Sequence, residues 1–383
     1  MNNLAKKEFR ASDGATIYLL AIVSIFILSN TLGIFLAAIK GLEQSSLPIY
    51  EALNMLSNML LQAGLIGVYF LYTKKLKVKP QIRMQKCVWQ SCVLAVIITV
   101  ITMYGYILPA TYFDEMLVYI GYTSSAFSMQ TLLGKIIMFI ATVFIAPIGE
   151  ELIFRGALIS GLRRKFGDVT CVLLSGIMFS LMHTNPAQTV YQFGLGCSLA
   201  VLSLSSGSVI PCIICHATSN FIACIMQFFP KFTNVYFAPI FIVNAQNKIW
   251  VAFLMLVAIV ATVLIYKFLK NLSQKKYPKH FVKNVRHPEF FNQYTLLPVY
   301  KDDDDYEYQY NLLFNNQKDK EKNNSSINKE RYDQGIQDVL TKDYNARQSE
   351  CGGVFGKNTF YKCIIIGLGF CVAMWLFVLF ATI

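Results

Sequence analysis

The sequence predicts an all-α fold, a polytopic transmembrane helical bundle of about eight core spans with one further span after a polar tail. Three observations carry this. Of 383 residues, 55% are hydrophobic and only 15% charged, where a soluble domain carries roughly 25% charge. Apolar stretches of membrane-crossing length recur along the chain, and lipid admits only helices and closed barrels because every backbone polar group must be satisfied internally. Lys and Arg then gather between alternate stretches, as membrane topology requires.

In order, the spans are expected at 15–39, 50–72, 88–109, 131–150, 169–185, 188–205, 208–229, 248–269 and 360–382. Lys6, Lys7 and Arg10 precede the first, which is too long for a signal-peptide core and lacks a small-residue cleavage site. Basic residues recur at Lys74 to Lys86, at Arg163 to Lys165 and after Lys267. Placing all four clusters in the cytoplasm makes each alternation consistent. The N-terminus and polar tail are then cytoplasmic, and linkers 40–49, 110–130 and 230–247 lie outside.

Four segments follow: N-terminal spans over 1–130, a catalytic core over 131–270, a polar tail over 271–358 and a last span over 359–383. The tail holds 14 Lys/Arg and 13 Asp/Glu. It offers too little apolar surface to offset its ordering entropy and reads as largely disordered, with a short helix at 323–345. Asp302 to Asp305 reads as solvated linker. The core therefore carries +11 of the +12 net charge, which reports topology and the lipid bilayer rather than nucleic acid. Most of the ten cysteines lie in or beside apolar spans, where Cys acts as a small hydrophobe. No disulfide framework and no internal repeat is evident.

Ionisable side chains inside spans are costly, so each is a functional candidate. Away from span ends these are Glu150, Glu151, His183 and His216, with Asn220 beside them; Lys135 can snorkel and is set aside. On a helix Glu151 and Arg155 stand one turn apart and can pair, whereas Glu150 points about 100° away. The bland alternative is a pair of helix-end charges neutralised by Arg155 and Arg163. His183 lies one turn beyond Phe179. Glu150 and His183 are equidistant from the turn at Phe166-Gly167-Asp168, so an antiparallel hairpin brings them to one depth. His216 and Asn220 share a helical face; read blandly, they are interhelical hydrogen-bond glue.

Cys212-Ile-Ile-Cys215-His216 matches a haem-attachment string, but attachment needs exposed thiols and this string is inside a span. A metal on Cys212, Cys215 and His216 lacks an evident fourth ligand. There is no HExxH motif and no Gly-x-Ser-Gly.

Taken together, Glu150-Glu151-Leu-Ile-Phe154-Arg155, Phe179 to His183 and His216 to Asn220 resemble the ordered pattern E-E-x-x-x-R, F-x-x-x-H, H-x-x-x-N/D. That pattern belongs to the CAAX-protease and bacteriocin-processing proteins, intramembrane glutamate proteases resembling type II CAAX prenyl endopeptidases. The resemblance covers roughly residues 130–230. It implies helices around a water-filled cavity opening to the cytoplasm. Glu150 with His183 would activate water, His216 and Asn220 would donate to the oxyanion, and Glu151 with Arg155 would hold the helix, Phe154 and Phe179 supporting them. The expected function is endopeptidase cleavage of a peptide or membrane-bound protein near the cytoplasmic face, without a cofactor. Zinc-dependent hydrolysis through His183, His216 and a carboxylate is the enzymatic alternative. A non-catalytic role in immunity, scaffolding or transport is the other. Oligomeric state and substrate identity are left open.

Overall fold

The structure, a computed structural model, describes residues 9–41, 46–123, 129–231, 248–281 and 359–382. Nine long helices follow one another among the described residues: α1 (Ala11–Ala38), α2 (Leu47–Leu76), α3 (Trp89–Tyr119), α4 (Leu132–Leu162), α5 (Asp168–Met182), α6 (Thr189–Ser206), α7 (Ile210–Phe228), α8 (Lys248–Lys276) and α9 (Thr359–Thr382). Seven of them are long and apolar enough to cross a membrane, namely all but α5 and α6. Their outer faces are apolar too: Ile34, Leu71, Leu264 and Phe380 are each more than half exposed. Such surfaces suit lipid, where a helix gains nothing by hiding Leu or Phe.

Several boundaries differ from the sequence expectations. The third helix runs through Pro109 to Tyr119 rather than stopping at 109. One lost N–H bond does not end a helix in apolar surroundings, where few alternative partners compete for the chain. The helix expected at 131–150 continues to Leu162, so both glutamates lie within it. The expected spans 169–185 and 188–205 are a hairpin of shorter reach. The 15 residues of α5 extend about 22 Å at 1.5 Å each, short of a bilayer core of about 30 Å. Helix α8 reaches Lys276 and is followed by a 3₁₀ turn, Pro278–His280, so the start of the supposed tail is ordered. The expectations for 282–358, including the helix at 323–345 and the acidic run, lie outside the described residues, as does most of linker 230–247.

Helix α4 is interrupted twice by π-helical turns, Ala141–Ile145 and Leu152–Leu158. Pro147 explains the first. The Ala146 N–H reaches back five residues to Ala141 O, and Pro147 has no N–H to give. The carbonyl of Thr142 thereby loses both its α and its π partner. Asn220 on α7 donates its Nδ2–H to that carbonyl at 2.8 Å, satisfying an acceptor that would be costly to leave bare. π-turns inside α-helices are frequent at functional sites, and the six residues between these two, Ala146–Glu151, carry both glutamates.

Close approach holds the elements around α4. A Cβ on Gly149 would stand 3.0 Å from the Gln62 carbonyl, so glycine lets α2 lie against the helix that carries Glu150. Where α5 and α6 cross, a Cβ on Gly196 would stand 2.9 Å from Gly176 Cα. Glu51 on α2 accepts the N–H groups of Gln130 (2.8 Å) and Thr131 (3.0 Å), capping α4 from another helix. The 77–88 loop is stitched at the opposite end: Ile82 N–H donates to Ser160 Oγ (3.0 Å) and Val209 N–H to the Arg83 carbonyl (3.1 Å).

Candidate active site

Phe179 stands at the middle of the site and is fully buried. Its ring meets Phe154, His183 and His216 edge-on, with centroids 5.2, 4.8 and 5.6 Å away. The Arg155 guanidinium lies over it at 4.4 Å. A single ring therefore fixes one cation and two imidazoles, which explains an aromatic residue one turn before His183. Weakly hydrated Arg, unlike Lys, tolerates such a buried, ring-stacked position.

Glu151 and Arg155 form the i, i+4 ion pair that the spacing suggests, at 3.0 Å and with neither side chain exposed. Arg155 also donates to the Gly196 carbonyl at 3.0 Å, tying α4 to α6. Sequence reasoning assigned Glu151 to Arg155 alone. The structure adds a second partner, for His216 Nδ1 lies 2.8 Å from Glu151 Oε1. An ionised carboxylate only accepts, so this Nδ1 carries its proton and His216 Nε2 faces the other way.

That other way is Glu150. His216 Nε2 is 3.9 Å and His183 Nε2 4.0 Å from Glu150 Oε2. His183 reaches this arrangement as the C-cap of α5. Its Nδ1 donates to the Phe179 carbonyl at 2.8 Å, since a carbonyl can only accept. Both rings thus have Nδ1 engaged and Nε2 turned toward one carboxylate oxygen. Glu150 Oε2 is buried and has no hydrogen-bond partner among the described residues. Glu150 Oε1, in contrast, accepts from Gln62 Nε2 at 3.2 Å. The two oxygens of one side chain are in different situations: one is held, one faces the imidazoles. The His183 side chain is 20% exposed against 4% for His216, so the centre is more accessible from the His183 side.

Of the eight residues singled out in the sequence, seven converge here. Asn220 is directed to Thr142 instead, although its amide has a second N–H. Gln62 was missed. Its only sequence signal is an amide inside an apolar stretch, and a search confined to ionisable residues passes over it. A cavity of about 290 Å³ lies nearby, lined by residues including Met103, Asp114, Tyr191 and Ser219, but by none of the eight.

No group of three or more His, Cys, Asp and Glu among the described residues could hold a metal ion. The separations at Glu150, 3.9 and 4.0 Å, exceed the edge of roughly 3.4 Å expected of a tetrahedral zinc shell with bonds near 2.1 Å. Cys212 and Cys215 are fully buried. Cys212 Sγ donates to the Leu199 carbonyl at 3.3 Å, and Thr99 donates to Cys215 Sγ at 3.3 Å.

The fold and centre together define a multi-pass helical membrane protein with a buried carboxylate–imidazole site. Residues 131–222 match the family model described as type II CAAX prenyl endopeptidase Rce1-like, so this stretch is similar to the family that its motifs resemble. The match spans α4 to α7 and includes every site residue except Gln62. No curated protein and no solved structure matches the chain.

Proposed function

We propose that the chain is an intramembrane endopeptidase in which Glu150 is the general base. The observation that carries this is the setting of Glu150 Oε2, buried, unpartnered and 3.9–4.0 Å from two imidazole Nε2 atoms. A water at about 2.8 Å from both Glu150 Oε2 and His183 Nε2 fits the span between them. Glu150 takes one proton from that water while its oxygen attacks the peptide carbonyl carbon. The C=O pair moves onto oxygen, giving a tetrahedral oxyanion. When the C–N bond breaks, the proton held by Glu150 passes to the leaving nitrogen. A positioned base of this kind contributes on the order of 10²–10⁴ in rate.

His216, held by Glu151 through Nδ1, carries a proton on Nε2 during the step and donates to the oxyanion, with Glu151 as its counter-ion. The second N–H of Asn220 assists. One oxyanion donor is worth about 10²–10³. The chemistry needs no cofactor. The substrate is a peptide or membrane-bound protein that reaches Glu150 beside His183, the more exposed of the two imidazoles.

The test is cleavage of membrane peptides by purified protein in vesicles. Glu150→Gln and His183→Ala should insert and melt as wild type does, yet lose cleavage by at least about 10². Full cleavage by either variant contradicts the mechanism. Inhibition by a tight chelator, reversed by zinc, points to metal-dependent hydrolysis. A phenotype untouched by Glu150→Gln points to a non-catalytic role in immunity, scaffolding or transport.

A further inference from the structure

We infer that the C-terminal helix α9 sets the position of His183, acting through Trp375 on the turn that follows the histidine. The inference rests on reading His183 as part of the working centre, and it gives a role to a helix outside the matched core.

The turn is strained where it leaves His183. Thr184 has φ +49°, a left-handed conformation that a β-branched residue rarely adopts. Such a residue keeps this geometry only when its surroundings impose it. Within the turn, Asn185 Oδ1 accepts the Ala187 N–H at 3.1 Å and opens the 3₁₀ turn Pro186–Gln188. Thr189 Oγ1 donates to the Asn185 carbonyl at 3.4 Å, and Ser180 Oγ on α5 donates to the Thr189 carbonyl at 2.7 Å; two more restraints come from outside the hairpin. Tyr122, just beyond α3, donates to Asn185 Oδ1 at 3.2 Å. Trp375 on α9 donates its Nε1–H to Thr189 Oγ1 at 2.8 Å. Ala187 is packed in a small apolar cluster with Leu117, Tyr122, Trp375 and Leu379, separate from the main core.

On its other side the His183 ring is held by Phe179 alone, through the Nδ1 bond to its carbonyl and the edge-on ring contact. Its ring is therefore only as well placed as the residues on both sides of it, and the C-terminal side is fixed in part by α9 and Tyr122. Helix α9 is itself seated against α1 by Tyr18 Oη and Cys371 Sγ, 3.6 Å apart. Helix α9 thus packs on the segment carrying a proposed catalytic group. Trp375 is a positioning residue.

The experiment compares wild type, Trp375→Phe and Trp375→Phe/Thr184→Gly as full chains in vesicles. Amide exchange over 184–189 is read alongside hydrolysis of a quenched-fluorescent peptide copied from a sequence that wild-type membranes release. Phenylalanine keeps the ring and removes the donor. Expected are several-fold faster exchange over 184–189, a fall of about tenfold in kcat with KM unchanged, and recovery of most of kcat in the double variant, because glycine adopts the turn without strain. A merely structural role would lower melting temperature without that rescue. Faster exchange with unchanged kcat, unchanged exchange, or a failed rescue each overturns the inference. If wild type itself cleaves nothing, the peptidase reading fails, and exchange over 184–189 still decides whether α9 holds the turn.

Discussion

Glu150 and Glu151 are neighbours in the chain, yet one faces two imidazole nitrogens and the other is locked between Arg155 and His216. In the proposed mechanism that difference separates a carboxylate that moves a proton from one that maintains geometry. It sets two expectations. Glu151→Gln breaks a buried ion pair, at a cost of about 3–5 kcal/mol, so the variant should melt much lower or fail to accumulate, whereas Glu150→Gln should remain folded. Equal melting temperatures for the two would contradict the division of roles. Gln62→Leu removes the donor that holds Glu150 Oε1 and should lower kcat several-fold with little change in melting temperature. Gln62→Glu should lower it further, by placing a second carboxylate beside the first. Unchanged kcat in both variants would exclude Gln62 from the centre. At this scale the sequence was highly legible, since an ionisable residue inside an apolar span announces itself. Gln62 did not, because an uncharged amide is cheaper to bury, and the second partner of Glu151 did not, because it comes from a helix 65 positions away.

Among the elements, the equal distances of Glu150 and His183 from the 166–168 turn rightly implied that they meet. What could not be read was how α4 turns its glutamates inward. The first π-turn follows from Pro147 and from the tertiary bond to Asn220, and hydropathy carries no trace of either. The accounting at Thr142 is open to a double-mutant cycle. Asn220→Ala bares that carbonyl and should lower stability by about 1–3 kcal/mol. In a Pro147→Ala background, the restored N–H can serve Thr142, so the same change should cost clearly less. Additive effects in thermal melts would disprove the account. The α5–α8 clasp gives a pH expectation. Burial alone would raise the Asp168 carboxyl, but Arg163, Lys270 and Tyr266 outweigh it and hold it below the usual carboxylate range. Lys270 Nζ lies 2.7 Å from it. A carboxyl depressed in the folded state adds stability above its unfolded value near 4, lost as pH falls through the folded value. Asp168→Asn should therefore cost stability at neutral pH, on the order of 1 kcal/mol for a partly exposed pair, and flatten the fall in melting temperature on acidification. A fall as steep as that of wild type would show that Asp168 is not the group responsible.

Across the whole molecule, the class was plain from composition, because 55% hydrophobic residues in repeated runs leave few soluble solutions. The number of crossings was less plain. Hydropathy treats α5 and α6 as spans, whereas a strained residue at Thr184 and a 3₁₀ turn make them a short hairpin. The last helix reads in sequence as a simple anchor, and only its contacts reveal that it closes on the His183 turn. The central claim is that this arrangement cuts peptides through Glu150. The most direct measurement is comparative peptidomics of membranes carrying wild type or Glu150→Gln at matched levels. A defined set of cleavage products should be present with wild type and absent with the variant, their precursors accumulating in membranes. Identical peptide populations with both proteins would contradict the claim.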